Sequence, residues 1–288
     1  MLKSRYIQNK NKLMGEQLFK KADYIRKDLV EVATKNGAGH IAPSLSCVDI
    51  LSALYYHVLN FSADPQWEDR DRFVFSKGHG CYGVYAILAD IGYISKEDWV
   101  NFYKGSFLQG CLERSIEHGI EASSGSLGHG LPQAVGIAFG AKLQQKKYRV
   151  YCLVGDGEMQ EGSNWEAIQF AVMYELSNLT VIIDSNRLQA MDFLENVLTS
   201  KRTNDDLKRK MEAFGFISKT CDGHNLDEIT SSLNGWADSQ DNIDVPQVLI
   251  ANTIKGYGVK CMENISKFHF RLPTEEELKR GTRYGQKK

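Results

Sequence analysis

No charge of either sign dominates this chain: 35 lysines and arginines stand against 36 aspartates and glutamates in 288 residues. That balance lacks the basic excess or stripe of an electrostatic nucleic-acid binder, so no nucleic-acid partner is expected. Paired cysteines are missing too. Cys47, Cys81, Cys111, Cys152, Cys221 and Cys261 are scattered singly, with no C-x-x-C spacing for zinc or redox chemistry. Free thiols in a reducing compartment are the expectation. No run is long and apolar enough to span a membrane, and the opening stretch lacks the apolar core of a signal peptide, which points to the cytoplasm. Repeats, low-complexity tracts and a clean linker are also absent. A single domain over 1–288 is therefore expected, near the upper size for one hydrophobic core. It carries a polar extension at 1–14 and a charged tail at 274–288.

What is present is an ordinary globular mixture, 42% hydrophobic and 25% charged. Leu18, Ala22, Ile25, Leu29, Val32 and Ala33 recur at helical spacing, and that helix ends near Asn36-Gly37. Gly39 to Ser46 reads as loop, and Asp49 to Leu59 as a helix. Short buried strands are predicted at 72–76, 149–154, 179–184, 216–220 and 246–251. Helices are predicted at 82–91, 132–143, 164–174 and 226–236, with the glycine-rich stretch 101–130 as loop around a site. Strand–helix–strand order at 149–184 and again at 216–251 predicts two βαβ units of a parallel sheet, hence an α/β chain. Met191, Met211 and Met262 read as fillers of core gaps. Tyr55, Tyr56 and Trp165 read as packing or interface residues.

The strongest chemical signal is Gly155-Asp156-Gly157-Glu158 at the end of one strand and Asp184-Ser185-Asn186 at the end of the next. Parallel neighbours bring their carboxyl ends together, where open α/β sheets bind ligands. A carboxylate from Asp156 and an amide oxygen from Asn186 can then reach one small cation, and magnesium favours few protein oxygens with phosphate or water completing its shell. The glycines let backbone approach a diphosphate, and the helix after Gln160–Ser163 presents a favourable N-terminus to an anion. Gly-Asp-Gly alone is equally a surface turn; Glu158 reads as a solvent-facing cap, Glu161 as a helix-start acid, Asp184 as a strand-end cap. A second group sets histidine beside glycine at Gly39-His40, Gly78-His79-Gly80 and Gly128-His129-Gly130. Such imidazoles suit hydroxyls, phosphate oxygens and proton transfer. A zinc site made from the three is the weaker alternative, since the spacing fits no local zinc pattern.

The run from Gly155 to Ala167, completed by Asp184-Ser185-Asn186, resembles the thiamine diphosphate signature of transketolases. The likeness is to the N-terminal, pyrophosphate-binding domain, particularly where the enzyme is split over two polypeptides. Gly39-His40 before Ser44-Leu45-Ser46, Ser76-Lys77-Gly78-His79-Gly80, Gly125-Ser126-Leu127-Gly128-His129-Gly130-Leu131-Pro132, Thr253–Val259 and Met262-Glu263-Asn264 stand in the order of that family. The resemblance covers about residues 20–275. It implies a three-layer α/β/α fold with a mainly parallel sheet. It also implies Asp156 and Asn186 as side-chain ligands of Mg²⁺ (with Ca²⁺ or Mn²⁺ as substitutes), and Leu188 as a backbone ligand. His79, Ser126, Leu127, Gly128, Gly155, Gly157 and Glu158 fall at cofactor-binding positions. His40, His79, His269 and Glu161 fall at catalytic positions, with Glu161 coupling two cofactor sites across a contact between protomers. Substrate would meet His40, Cys111, His129 and His269.

Departures surround the substrate channel. Cys111 stands where the family has a histidine, His129 where glutamine is commoner, and Ile41-Ala42 where proline-glycine is usual. Family members bind the aminopyrimidine with a second domain, which has no counterpart here. The resemblance therefore implies a partner chain carrying the pyrimidine-binding and C-terminal domains, in an α2β2 heterotetramer or a dimer. The implied reaction moves a two-carbon ketol unit from a ketose to an aldose. Rival readings are a related enzyme acting on non-standard or nucleotide-linked sugars for surface polysaccharides or secondary metabolites, a decarboxylating relative, and a non-catalytic scaffold.

Overall fold

The computed structural model describes residues 12–37, 39–197, 204–237 and 244–279. Helix α1 (Gly15–Asn36) is amphipathic, burying Leu18, Ala22, Ile25, Leu29 and Ala33, and closes on Gly37 in the left-handed region. Short helices α2 (Ile41–Leu45) and α3 (Val48–Ala53) follow, and α3 passes into one π turn at Leu54–Val58. Strand β1 (Arg72–Phe75) leads through a 3₁₀ turn, Gly78–Gly80, into α4 (Tyr82–Asp90), and α5 (Lys96–Val100) comes next. After a long loop come α6 (Gly130–Leu143), β2 (Val150–Gly155), α7 (Gly162–Met173) and β3 (Leu179–Ser185). The remaining elements are α8 (Leu194–Val197), α9 (Asn204–Phe214), β4 (Ile217–Asp222), α10 (Leu226–Ala237), β5 (Gln247–Asn252) and α11 (Glu275–Lys279).

All five strands are parallel, in the order β1-β2-β3-β5-β4. Side chains alternate across the sheet, as the pleat requires. Tyr151, Leu153, Ile182 and Leu249 pack on one face with α1, α3, α4 and α10. Val150, Cys152, Val181, Ile183, Val248 and Ile250 pack on the other with α6, α7 and α9. Both faces are covered, which is why the central strands read as continuous apolar runs. The result is the three-layer α/β/α fold expected. Register sets Gly155 opposite Asp184 and Ser185 opposite Asn252, so β2, β3 and β5 end at one level.

Some expectations need correction. The predicted loop 39–46 contains α2, whose first turn accommodates Pro43 because early helical amides need no intrahelical partner. Helix α9 is additional to the predicted elements, although Leu207, Met211 and Phe214 form its apolar stripe. Met211 and Met262 are fully buried, but Met191 is 76% exposed and fills no core gap. Of the 1–14 extension, residues 1–11 lie outside the described residues; the Leu13 amide donates to the Tyr56 carbonyl at 2.9 Å. Of the charged tail, 275–279 form α11, and 280–288 lie outside the described residues. The 101–130 segment is largely irregular, as expected, and is anchored by buried Phe102, Leu108, Leu112, Ile120 and Ala122. No helix among the described residues is long and apolar enough to cross a membrane.

Candidate active site

A cleft of about 380 Å³ opens where β2, β3 and β5 end. Its lining includes Asp156, Asn186, Leu188, Lys77 and Lys255, with His40, His79 and His269. The floor is built by backbone geometry at two strand ends. Asp156 turns the chain after β2, and its carboxylate accepts the Gly157 amide at 2.7 Å and the Arg187 amide at 2.5 Å. Arg187 adopts a left-handed φ of 60°, which folds the segment after β3 back toward β2. The Asn186 amide oxygen accepts the Leu188 N–H at 3.0 Å. Carboxylate, amide and carbonyl oxygens from these three residues thus border one cleft, the hard oxygen set that suits Mg²⁺. A cation already sits among them: the Lys255 ammonium donates to the Leu188 carbonyl at 2.7 Å. The donor set therefore fits a divalent cation.

Two further carboxylates brace this floor, Asp184 from beneath and Glu158 from the cleft lining. Asp184 is buried in an ion pair with Lys77 and accepts Ser46 Oγ at 2.6 Å. Burial pushes Asp184 up, but the Lys77 charge outweighs it and holds the carboxyl below its ordinary value. Glu158 is buried rather than solvent-facing. It accepts the Gly128 amide at 3.0 Å, the Gly155 amide at 3.1 Å and Ser76 Oγ at 2.5 Å, tying three glycine-rich turns together. Asp156 is pushed up to about 6, by burial first and by neighbouring Asp184 second.

The three histidines of the cleft meet on one wall. Ring centroids lie 5.2 Å apart for His40 and His79, 5.3 Å for His40 and His269, and 5.3 Å for His79 and His269. His40 holds a left-handed φ of 53° at the start of α2 and meets the Phe270 ring edge-on at 4.8 Å. Burial, and then the nearby lysines, lower all three imidazoles; His269 falls to about 3 and stays neutral near pH 7. Its Nδ1 lies 2.6 Å from Lys255 Nζ, and Lys255 itself is lowered to about 7 by burial and by Lys77.

The other expected residues divide between the cleft and its surroundings. Leu127, Gly155 and Gly157 line the cleft, and so does Cys111, half-buried against Gly125. Gly128 is buried behind Glu158. Ser126 and Glu161 are exposed outside the lining. His129 is exposed too, with Nδ1 3.1 Å from the Leu127 carbonyl. The three glycine-flanked histidines therefore do not converge; His269 takes the third place beside His40 and His79. No group of three or more His, Cys, Asp or Glu side chains among the described residues could hold a metal, which removes the zinc alternative. Sequence reasoning misses Lys77 and Lys255, although both lie inside the quoted motifs.

A family profile described as "Transketolase, thiamine diphosphate binding domain" matches residues 19–287. The chain is 40% identical over 276 residues to one of the subunits of the apulose-4-phosphate transketolase of Actinobacillus succinogenes, covering 94% of this chain and 96% of that one. It is 36% identical to the 6-deoxy-6-sulfo-D-fructose transketolase subunit SqwG of a Clostridium species, covering 92% and 96%. Among solved structures, Campylobacter jejuni transketolase superposes with a TM-score of 0.81 at 32% identity, covering 92% of this chain and 42% of that one. The chain thus spans about two-fifths of the solved transketolase. With a parallel sheet whose strand ends gather Asp156, Asn186 and three histidines, and with a family match over nearly its whole length, the chain belongs to the transketolase family as its N-terminal, thiamine diphosphate-binding part.

Proposed function

We propose that this chain, joined to a partner bearing the pyrimidine-binding and C-terminal domains, transfers a two-carbon ketol unit from a ketose to an aldose. The observation that carries this reading is the meeting of oxygen donors from Asp156, Asn186 and Leu188 with His40, His79 and His269 in one cleft. Asp156, Asn186 and the Leu188 carbonyl would hold Mg²⁺, and Gly155, Gly157 and His79 would lie against the diphosphate. Thiamine diphosphate, when bound, supplies the carbon nucleophile that breaks and makes the carbon–carbon bond. The chain's own contribution is positioning and electrostatics. Neutral imidazoles at His40, His79 and His269 donate to substrate oxygens where negative charge develops, in a pocket that needs little reorganisation. Lys255 adds an ammonium group held between the Leu188 carbonyl and His269.

Ser126 and Glu161, which are exposed outside the cleft in the single chain, would complete the site at the contact with the partner, in an α2β2 assembly or a dimer, with Gly128 shaping the turn behind them. A single domain in the cytoplasm fits this reading. Asp156→Ala in the assembled enzyme is expected to lose Mg²⁺-dependent thiamine diphosphate binding. A titration in which the variant keeps wild-type affinity ends the ligand assignment.

Cys111 favours a second reading of the substrate. A half-buried thiol on the cleft wall replaces a larger, basic imidazole, leaving more room and one fewer hydrogen-bonding ring. Relatives named for apulose-4-phosphate and 6-deoxy-6-sulfo-D-fructose support non-standard sugars here as well. Product analysis with a panel of ketose donors separates the two readings.

A further inference from the structure

We propose that His224 is a positioning residue, anchored by Asp49, that fixes the loop presenting Lys255 to the cleft. This rests on the reading of the cleft as the cofactor site. His224 follows β4, and its side chain is fully buried. Its Nδ1 lies 2.8 Å from an Asp49 carboxylate oxygen, and its Nε2 accepts the Ile254 backbone amide at 2.8 Å. A backbone N–H can only donate, so Nε2 is the bare nitrogen and Nδ1 carries the proton given to Asp49. One tautomer satisfies both bonds.

The anchor is rigid. Arg26 donates to both Asp49 oxygens at 2.7 and 2.6 Å, and Tyr257 stacks on the His224 ring at 3.6 Å. The imidazole therefore joins α3, the end of β4 and the loop after β5. Ile254 immediately precedes Lys255, whose ammonium meets the Leu188 carbonyl and His269. The Thr253 and Gly256 amides fasten the same loop to the Ser185 and Ala42 carbonyls, each at 3.1 Å. Between those two clasps, His224 holds the amide of the residue just before Lys255. It does not line the cleft, so its influence passes through the backbone. Misplacing a group by about an ångström is costly to a preorganised site.

The test uses the complex with its partner chain, titrated with thiamine diphosphate and Mg²⁺ by intrinsic fluorescence, beside thermal unfolding without cofactor. His224→Phe keeps the stacking on Tyr257 and removes both hydrogen bonds. His224→Gln keeps one donor and one acceptor. The expected result is a Kd raised about tenfold in the Phe variant, the equivalent of one lost hydrogen bond, and largely restored in the Gln variant. A merely structural role would lower the unfolding temperature of the Phe variant and leave Kd alone; that outcome overturns the proposal. So does an equal loss in both variants. Should the Phe variant not fold, ¹⁵N NMR of histidine-labelled wild type decides: a proton on Nδ1 supports the proposal, and a proton on Nε2 refutes it. If Asp156→Ala binds cofactor as wild type does, the cofactor reading itself fails. If Asp156→Ala loses binding while His224→Phe keeps it, only the present inference falls.

Discussion

Lys77, on the cleft lining, forms an ion pair with Asp184 beneath it, with side chains only 3% and 0% exposed. Lys77 also donates to the Pro43 carbonyl at 2.9 Å, while Asp184 accepts from Ser46 and Thr253. The pair thus fastens α2, which carries the residues after His40, to the ends of β3 and β5. Lys77→Met leaves Asp184 charged, buried and uncompensated, and this is expected to cost about 3–5 kcal/mol in chemical denaturation. Combining it with Asp184→Asn removes the stranded charge while keeping an acceptor oxygen for one of the two hydroxyls, Ser46 or Thr253. The double variant should therefore be more stable than Lys77→Met alone; equal or lower stability would count against a charge-pairing role.

Glu158 receives three donors and gives none, so it acts as an ionised acceptor holding the Gly128 and Gly155 turns and Ser76 together. Burial pushes its pKa up, and those three donors work against the rise. In Glu158→Gln one arm becomes an amide that faces an N–H. Hydrogen bonds to a charged group are worth about 1.5–3 kcal/mol, so the loss of one should weaken thiamine diphosphate binding at least about tenfold. Isothermal titration of the assembled protein measures this. Unchanged affinity would mean that the turns hold their shape without the carboxylate.

Gly128 and Gly37 share a left-handed backbone, at φ 81° and 74°, but not their surroundings. A methyl at Gly37 would meet nothing within 4 Å, whereas at Gly128 it would lie 2.5 Å from Glu161 Cβ and 2.6 Å from Ser163 Oγ. Gly37→Ala is therefore expected to cost only the left-handed penalty of about 1–2 kcal/mol. Gly128→Ala should cost that and a steric term, and should move the start of α7 as well. Paired denaturation curves check the difference; equal costs would mean that the contact yields freely.

Much of this arrangement is legible in the residues because the apolar runs of β2 and β3 stop abruptly at Gly155-Asp156-Gly157 and at Asp184-Ser185-Asn186. A buried parallel strand followed by such a turn has few alternatives. The strand order is less accessible: two βαβ units do not reveal that β5 lies between β3 and β4, since periodicity carries no information about which edge a strand joins. Lys77 reads as part of a turn because lysine is ordinarily solvated. Its burial depends on Asp184, 107 residues away. Lys255 and His224 are hidden for the same reason, each defined by partners on other elements. The α9 stripe of Leu207, Met211 and Phe214 does carry a readable signal, spaced four and three residues apart.

Asp49 makes acid stability a test of the buried Arg26–Asp49–His224 cluster. Burial pushes its carboxyl up, but the Arg26 guanidinium and His224 outweigh that and hold it below its ordinary value of 3.8. In the unfolded chain an aspartate titrates near about 3.9. The folded state therefore binds a proton here less readily than the unfolded state. The resulting stabilisation is complete above about pH 5 and is lost as pH falls through the lower folded value. Asp49→Asn removes it at every pH and leaves Arg26 buried without its partner charge, an expected cost of about 3–5 kcal/mol near neutrality. Urea unfolding of both proteins at neutral pH, near pH 5 and near pH 3 should show the same gap at the first two and a smaller one at the last. A gap that stays constant down to pH 3 would mean that Asp49 titrates as freely in the fold as outside it.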